Sequence, residues 1–331
     1  MINGEGRTRR GFLQDTLMVA AGVGMLRTVA RAAEPVGSKA RWAITCRDVH
    51  LREVGNGDIW AAIRAIGADG MEVDVRADGA CPAISSKETT WSVATEDDVK
   101  RLRDKLAEEK TRIAAFCLHN RFDERPEAEV EEMVRHVRAA VLLGVPAIRI
   151  DVVPRKLAGK EDEFLKFAID MGKKLVRVAQ DADVRYGVEN HGTTTNRPDF
   201  LRKLFEGVGS PKFGLTLDTA NLYWYGHPLS KLYQIFEEFA PNACHTHCKS
   251  IGYPEDQREK QRPMGWEYGK YCCPVYEGDV DFKRVAAILR KAGYKGDLCV
   301  ENESLGRFPK EQRGEILKRE VRTLREIAAQ A

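Results

Sequence analysis

At 331 residues, with 43% hydrophobic and 31% charged residues, the chain has ordinary globular composition and the length of one large domain or two smaller ones. No apolar run approaches the roughly 18 residues of a membrane span, so a soluble mature chain is expected. The formal net charge is +3, and residues 1–32 alone carry it: Arg7, Arg9, Arg10, Arg27 and Arg31 stand against Glu5 and Asp15. What remains is near neutral and lacks the basic footprint of a nucleic-acid binder.

In chain order, the first segment is a targeting signal by pattern. Thr8-Arg9-Arg10-Gly11-Phe12-Leu13-Gln14 precedes the mostly apolar TLMVAAGVGML and then Ala30-Arg31-Ala32. This is a charged region, a short apolar region and a small-residue cleavage site. The paired arginines resemble a twin-arginine export signal over 1–32. That implies the twin-arginine translocase as a partner, a periplasmic or extracellular destination, and no membrane contact after cleavage. The competing reading is an amphipathic N-terminal helix.

From residue 40 onward short apolar runs alternate with helical patterns. Strands are predicted at 41–46, 70–75, 112–118, 147–153, 185–191, 213–219, 243–249 and 297–303. Between them, EDDVKRLRDKLAEEK (96–110) places Val99, Leu102 and Leu106 on one helical face, with Thr95 as N-cap and an acid three residues on. EQRGEILKREVRTLREIAAQ (311–330) supplies the last helix. Eight strand-helix units predict a single-domain α/β fold, a (β/α)8 TIM barrel over 40–331. An open doubly wound sheet uses fewer strands and often carries a glycine-rich turn after the first, which TCRDVHLREVGNG does not supply.

Eight cysteines show no evenly spaced disulfide framework. Cys46, Cys117 and Cys299 lie in strand-like runs and are expected as small core residues. Cys272 or Cys273 is expected either to tie down its loop or to stay a free thiol.

In a barrel of this kind function collects at the carboxyl ends of the strands. Reading those ends from the fifth strand gives Glu189 in VENH, Asp218 in LDT, His247 in HTHCK and Glu301 in VENE. A lone acid at a strand end is ordinarily a satisfied polar residue. Four potential ligands at equivalent ends of four consecutive strands converge on one point, and three carboxylates together would repel without a cation. One divalent metal ion (Mn, Mg, Co or Zn) held by Glu189, Asp218, His247 and Glu301 resolves the repulsion.

These residues, with GDVDFKRVAAILRKAGYKGDLCVENES (278–304), resemble the xylose-isomerase-like barrels of sugar isomerases and epimerases. The resemblance covers nearly all of the mature chain. It implies that the four residues bind one metal and that Glu189 and Glu301 move protons.

The stretch 243–250 places Cys244, His245, His247 and Cys248 within five residues. Strand alternation sets His245, His247 and Lys249 on one face and Cys244, Thr246 and Cys248 on the other, which argues against a zinc site using both histidines and both cysteines. His245 is expected as a hydrogen-bonded interior residue, the cysteines as packing against the helices, and Lys249 as a substrate contact. His191 and Asn221 are further substrate-binding candidates. Asn221 stands where several epimerases of the family carry a histidine, a departure that counts against a simple ketose epimerase. His119 is either a substrate contact or a loop cap, and Glu72 and Asp74 are expected to be structural.

Between His247 and Glu301 lie 53 residues, and the surplus is 254–278. Trp266, Tyr268, Tyr271 and Tyr276 there are either sugar-stacking rings or part of an excursion packed on the barrel or on another subunit of a homo-oligomer. The chemistry expected is removal of a proton next to a carbonyl to give an enediolate, then reprotonation. Export and the absence of a phosphate cradle favour a non-phosphorylated carbohydrate. The rivals are a lyase or hydrolase of 3-keto glycosides, a non-catalytic sugar-binding barrel, and an endonuclease-IV-like phosphodiesterase, which needs more histidines than the seven present.

Overall fold

A computed structural model describes residues 41–54 and 57–331, and the expected export signal lies outside them. The eight predicted strands all form. They are β1 (Ala43–Arg47), β2 (Gly70–Asp74), β3 (Ile113–Cys117), β4 (Ala147–Ile150), β5 (Arg185–Glu189), β6 (Phe213–Asp218), β7 (Ala243–Cys248) and, after a small two-stranded insertion, β10 (Asp297–Val300). They close into one barrel in the order β1-β10-β7-β6-β5-β4-β3-β2, with every neighbouring pair parallel. The insertion pairs β8 (Ser250–Ile251) antiparallel to β9 (Cys272–Cys273).

Local chemistry explains the helices between the strands. Thr95 accepts a hydrogen bond from the Asp98 amide at 3.1 Å and starts the helix Glu96–Glu108. Its Val99, Leu102 and Leu106 are buried, as their 3.6-residue spacing demands. Asp58 does the same for Ile59–Ile66, accepting from the Trp60 and Ala61 amides. In Phe282–Lys291, Phe282, Val285, Ile288 and Leu289 face the barrel. Trimming one such buried leucine to alanine costs about 2–5 kcal/mol. The last helix, Lys310–Gln330, falls where the sequence places it. Among the described residues no helix is long and apolar enough to cross a membrane.

Predicted strands at 147–153, 185–191 and 297–303 stop two or three residues earlier in the structure. Their last residues turn out of the sheet into the loops that build the rim. At Gly187 a Cβ would run into the Thr216 side chain, so β5 and β6 meet there only because residue 187 has none. The β6–β7 register slips beside this point: Leu215 pairs with Ala243 but Thr216 with His245, leaving Cys244 as an extra residue in a bulge.

Candidate metal centre

The carboxyl ends of four consecutive barrel strands bring Glu189, Asp218, His247 and Glu301 together, all buried. One ligand atom of each lies within 4.8 Å of the others. His247 Nδ1 is 3.4 Å from Glu189 Oε1, 3.2 Å from Glu301 Oε2 and 4.0 Å from Asp218 Oδ2.

In Asp218, His247 and Glu301 neighbours fix one atom and leave another turned to the common point, whereas both Glu189 oxygens are held. Asp218 Oδ1 accepts the Ala220 and Asn221 amides at 2.8 and 2.7 Å. His247 Nε2 donates to Glu72 Oε2 at 2.9 Å, so the lone pair of a neutral ring is on Nδ1. Glu301 Oε1 accepts from Arg47 Nη1 at 2.7 Å, and Glu189 Oε2 from Arg149 Nε at 2.6 Å. Glu189 Oε1 accepts from Asn221 Nδ2 at 2.9 Å. Asp218 Oδ2, His247 Nδ1 and Glu301 Oε2 are buried and make no well-formed hydrogen bond, but Lys249 Nζ lies 3.0 Å from Asp218 Oδ2 and 3.2 Å from Glu301 Oε2. Buried polar atoms without well-formed hydrogen bonds are costly, and three oxygens with one nitrogen are a donor set that suits a divalent ion.

The electrostatics correct one step of the sequence argument. Three carboxylates do not stand alone here. Arg47, Arg149 and Lys249 each contact at least one of them, with Lys249 Nζ 3.0 Å from Asp218 Oδ2 and 3.2 Å from Glu301 Oε2. The donor set, not the summed charge, is what could hold a divalent cation. Burial raises Glu189, but Arg149 and His247 outweigh it and bring its pKa to about 2. Burial likewise raises Glu301, and His247, Lys249 and Arg47 carry it well below the carboxylate range. For Asp218 burial raises the pKa, Lys249 lowers it and the two glutamates raise it again, to about 7.

Glu72, expected to be structural, lies beneath His247 as its hydrogen-bond acceptor and also pairs with Arg47 Nε at 3.0 Å. A carboxylate behind a histidine in this way sets the tautomer and ring orientation that a metal ligand needs. Asp74 pairs with Arg47 Nη2 at 2.7 Å, so both acids of β2 belong to the site's surroundings. His245 lies deeper, its Nδ1 2.6 Å from Asp297 Oδ1, as the hydrogen-bonded interior residue expected. Cys248 packs in the layer between strands and helices as expected. Cys244 does not: the bulge breaks strict alternation, and Cys244 packs with Ala115 of β3 and Ala147 of β4. Cys46 is in the apolar core, whereas Cys117 accepts from Arg47 Nη2 and Cys299 lies beside His245 and Glu72, both in polar company. All eight cysteines are free thiols.

The substrate-binding candidates divide into two sides. Lys249 and Asn221 touch the four-residue centre directly. His191 and His119 flank Asp151 on the β2–β5 side, with His191 Nδ1 3.2 Å from Oδ1 and His119 Nδ1 3.7 Å from Oδ2. The 254–278 excursion packs most of its aromatic rings against itself and the barrel rather than the site. Trp266 stacks on Tyr271 at 5.7 Å, Arg262 is 4.4 Å from both the Tyr223 and Tyr253 rings, and Tyr276 lies under Arg319. Tyr268 alone reaches toward the site, donating to Glu303, whose Oε1 is 3.1 Å from Lys249 Nζ.

Sequence reasoning missed Arg47, Arg149, Asp151 and Glu303. Arg149 had a signal: a charged residue between Ile148 and Ile150 in a buried strand points inward and needs a partner.

The profile of the xylose isomerase-like TIM barrel matches residues 60–327, most of the chain. The chain belongs to that family. Among curated relatives, an uncharacterised protein of Methanocaldococcus jannaschii is 21% identical over 54% of this chain. That alignment spans 56% of the archaeal protein, little more than half its length. Inosose dehydratase of Glaesserella parasuis is 23% identical over 62% of this chain and 74% of its own. Three solved structures share the fold. A xylose isomerase-like TIM barrel protein from Mycobacterium smegmatis in complex with magnesium is 16% identical over 87% of this chain and 98% of that one, with TM-score 0.62. The IolI protein with a bound zinc atom is 15% identical over 85% and 97%, with TM-score 0.60. D-allulose 3-epimerase from a Methylomonas species is 14% identical over 87% and 98%, with TM-score 0.60.

Proposed function

We propose that this protein is a divalent-metal-dependent enzyme that removes a proton next to the carbonyl of a non-phosphorylated sugar or keto sugar, as an isomerase or epimerase. The observation that carries the reading is the convergence of Glu189, Asp218, His247 and Glu301 at the ends of four consecutive strands, one ligand atom of each within 4.8 Å of the others. A relative named inosose dehydratase, and fold neighbours named as a D-allulose 3-epimerase or holding magnesium or zinc, support it.

Glu189, Asp218, His247 and Glu301 would hold the ion, which when bound supplies polarisation of a substrate carbonyl. The chain supplies the rest. Glu72 keeps the His247 Nδ1 lone pair turned into the site. The Asp218 carboxylate is aimed by the two amides that cap its other oxygen. Lys249 and Asn221 present a cation and an amide beside these ligands for substrate oxygens, and His191 and His119 stand at the opening. Glu189 and Glu301 are the carboxylates placed to take and return the proton. The seven histidines of the whole chain count against a phosphodiesterase that needs a many-histidine metal cluster.

A lyase is the second reading, and one observation favours it. Arginines hold the outer oxygens of both glutamates, which hinders the two-carboxylate relay that epimerisation needs, whereas elimination needs only one base. The test is incubation of metal-loaded protein in D₂O with ketoses, inosose and 3-keto-glucosides. Deuterium should enter beside the carbonyl, and Glu189→Gln or Glu301→Gln should lower turnover by at least the roughly 10²–10⁴-fold of general acid–base catalysis. A wild-type protein that binds these sugars without exchange or turnover would instead be a sugar-binding barrel. Export through the twin-arginine pathway is part of the proposal, because it directs the enzyme to free sugars or glycosides.

A further inference from the structure

The arginines that hold the two glutamates each hold a second acid. Arg47 joins Glu301 to Asp74, with Nη2 2.7 Å from Asp74 Oδ1. Arg149 joins Glu189 to Asp151, with Nη1 2.9 Å from Asp151 Oδ2. His119, in the loop after β3, stands between those outer acids. Its Nε2 is 3.5 Å from Asp74 Oδ1 and its Nδ1 3.7 Å from Asp151 Oδ2, yet its side chain is 58% exposed. The rim therefore runs Glu301–Arg47–Asp74–His119–Asp151–Arg149–Glu189, and His119 is its most open member.

Elimination needs a proton donor for the departing oxygen as well as a base. Glu189 and Glu301 each have an oxygen taken by an arginine N–H, so they serve as acceptors and bases. Lys249 carries a proton, but three carboxylates bind it: Asp218, Glu301 and Glu303. The Tyr268 hydroxyl is already given to Glu303. We propose that the His119 imidazole is the general acid of this site, protonating an oxygen leaving group expelled from the carbon β to the substrate's ketone. This rests on the metal-assisted proton abstraction proposed above and selects its lyase form. The Asp151 and Asp74 carboxylates facing the ring outweigh burial and raise the His119 pKa to about 9, so the ring is protonated at neutral pH and still close enough to neutrality to donate.

The step balances without an oxidant or reductant. One glutamate takes the proton from the carbon between the ketone and the leaving group. The C–H electron pair becomes the new C=C bond, the C–O bond breaks with its pair on oxygen, and that oxygen takes the His119 proton. The products are an enone and water or an alcohol. The base returns its proton to solvent, and His119 is reprotonated from it.

The experiment uses the metal-loaded full chain with methyl and 4-nitrophenyl 3-keto-glucosides in D₂O, comparing wild type, His119→Gln and His191→Gln. Methoxide leaves only with a proton, whereas nitrophenoxide leaves without one. His119→Gln should keep solvent exchange beside the ketone, lose about 10²-fold or more in methanol release, and lose far less in nitrophenol release. Equal loss with both leaving groups, no loss with either, or loss of exchange together with elimination would overturn the assignment. So would the leaving-group dependence appearing in His191→Gln and not in His119→Gln. Circular dichroism and metal content of the variants separate misfolding from chemistry. Absence of metal-dependent exchange in the wild type, on any substrate tried, sinks the underlying reading. Exchange with normal elimination in His119→Gln sinks only the acid.

Discussion

Replacing Glu72 with glutamine tests whether His247 is held for a metal. Glu72 has no exposed surface, accepts from His247 Nε2 at 2.9 Å, and pairs with Arg47 Nε at 3.0 Å. Glutamine keeps the shape and one acceptor but removes the charge. A charge-assisted hydrogen bond is worth about 1.5–3 kcal/mol against about 0.5–1.5 for a neutral one, so roughly 1 kcal/mol of ring orientation is lost. The less basic imidazole adds to this, and changes behind a metal-bound histidine typically weaken metal binding about 10–100-fold, or roughly 1.4–2.8 kcal/mol. Arg47 keeps Asp74 and Glu301, so it is not stranded and the barrel should still fold. Competition with a fluorescent chelator measures the affinity directly. A folded Glu72→Gln protein with unchanged metal affinity would refute the reasoning.

Arg149→Gln should lower the thermal midpoint, because it strips Glu189 and Asp151 of a buried partner and such losses cost about 3–5 kcal/mol. An unchanged midpoint in calorimetry would contradict that role. Glu320 is buried, accepts from the Val275 amide and from Asn302 Nδ2, and is raised by burial from 4.5 to about 7. Its folded-state pKa exceeds its unfolded one, so its contribution is fully present below pH 4.5 and lost as pH rises through 7, a swing of roughly 3 kcal/mol. Urea midpoints at pH 5 and pH 8 should therefore differ less in Glu320→Gln than in wild type, and an identical difference would exclude Glu320 as the cause. Arg9→Lys combined with Arg10→Lys should leave a folded precursor in the cytoplasm, and normal export of the double variant, read by cell fractionation, would remove the twin-arginine proposal.

The barrel was legible because each strand and helix carries its own period, and Val99, Leu102 and Leu106 are buried where spacing alone puts them. The four-residue centre was legible for a related reason. In a barrel, equivalent strand ends are neighbours, so Glu189, Asp218, His247 and Glu301 could be aligned without knowing any distance. The pairs that surround them join residues far apart in sequence: Arg47 to Glu301, His247 to Glu72 and Arg149 to Glu189. No local pattern encodes such partners, and Glu72 therefore read as structural. Cys244 was misplaced because a bulge adds one residue and alternation cannot register it. In the 254–278 loop the rings were visible but their partners, Arg319, Glu303 and one another, were not.

The central claim is tested most directly by metal content. Purified wild type, His247→Ala and His245→Ala, each dialysed against excess divalent ion and then against buffer, can be analysed by plasma mass spectrometry alongside their thermal midpoints. One equivalent per chain is expected in wild type and in His245→Ala. His247→Ala should lose the ion together with the stabilisation it gives. Metal retained in folded His247→Ala but lost from His245→Ala, or no metal bound by the wild type under any loading, would contradict the account.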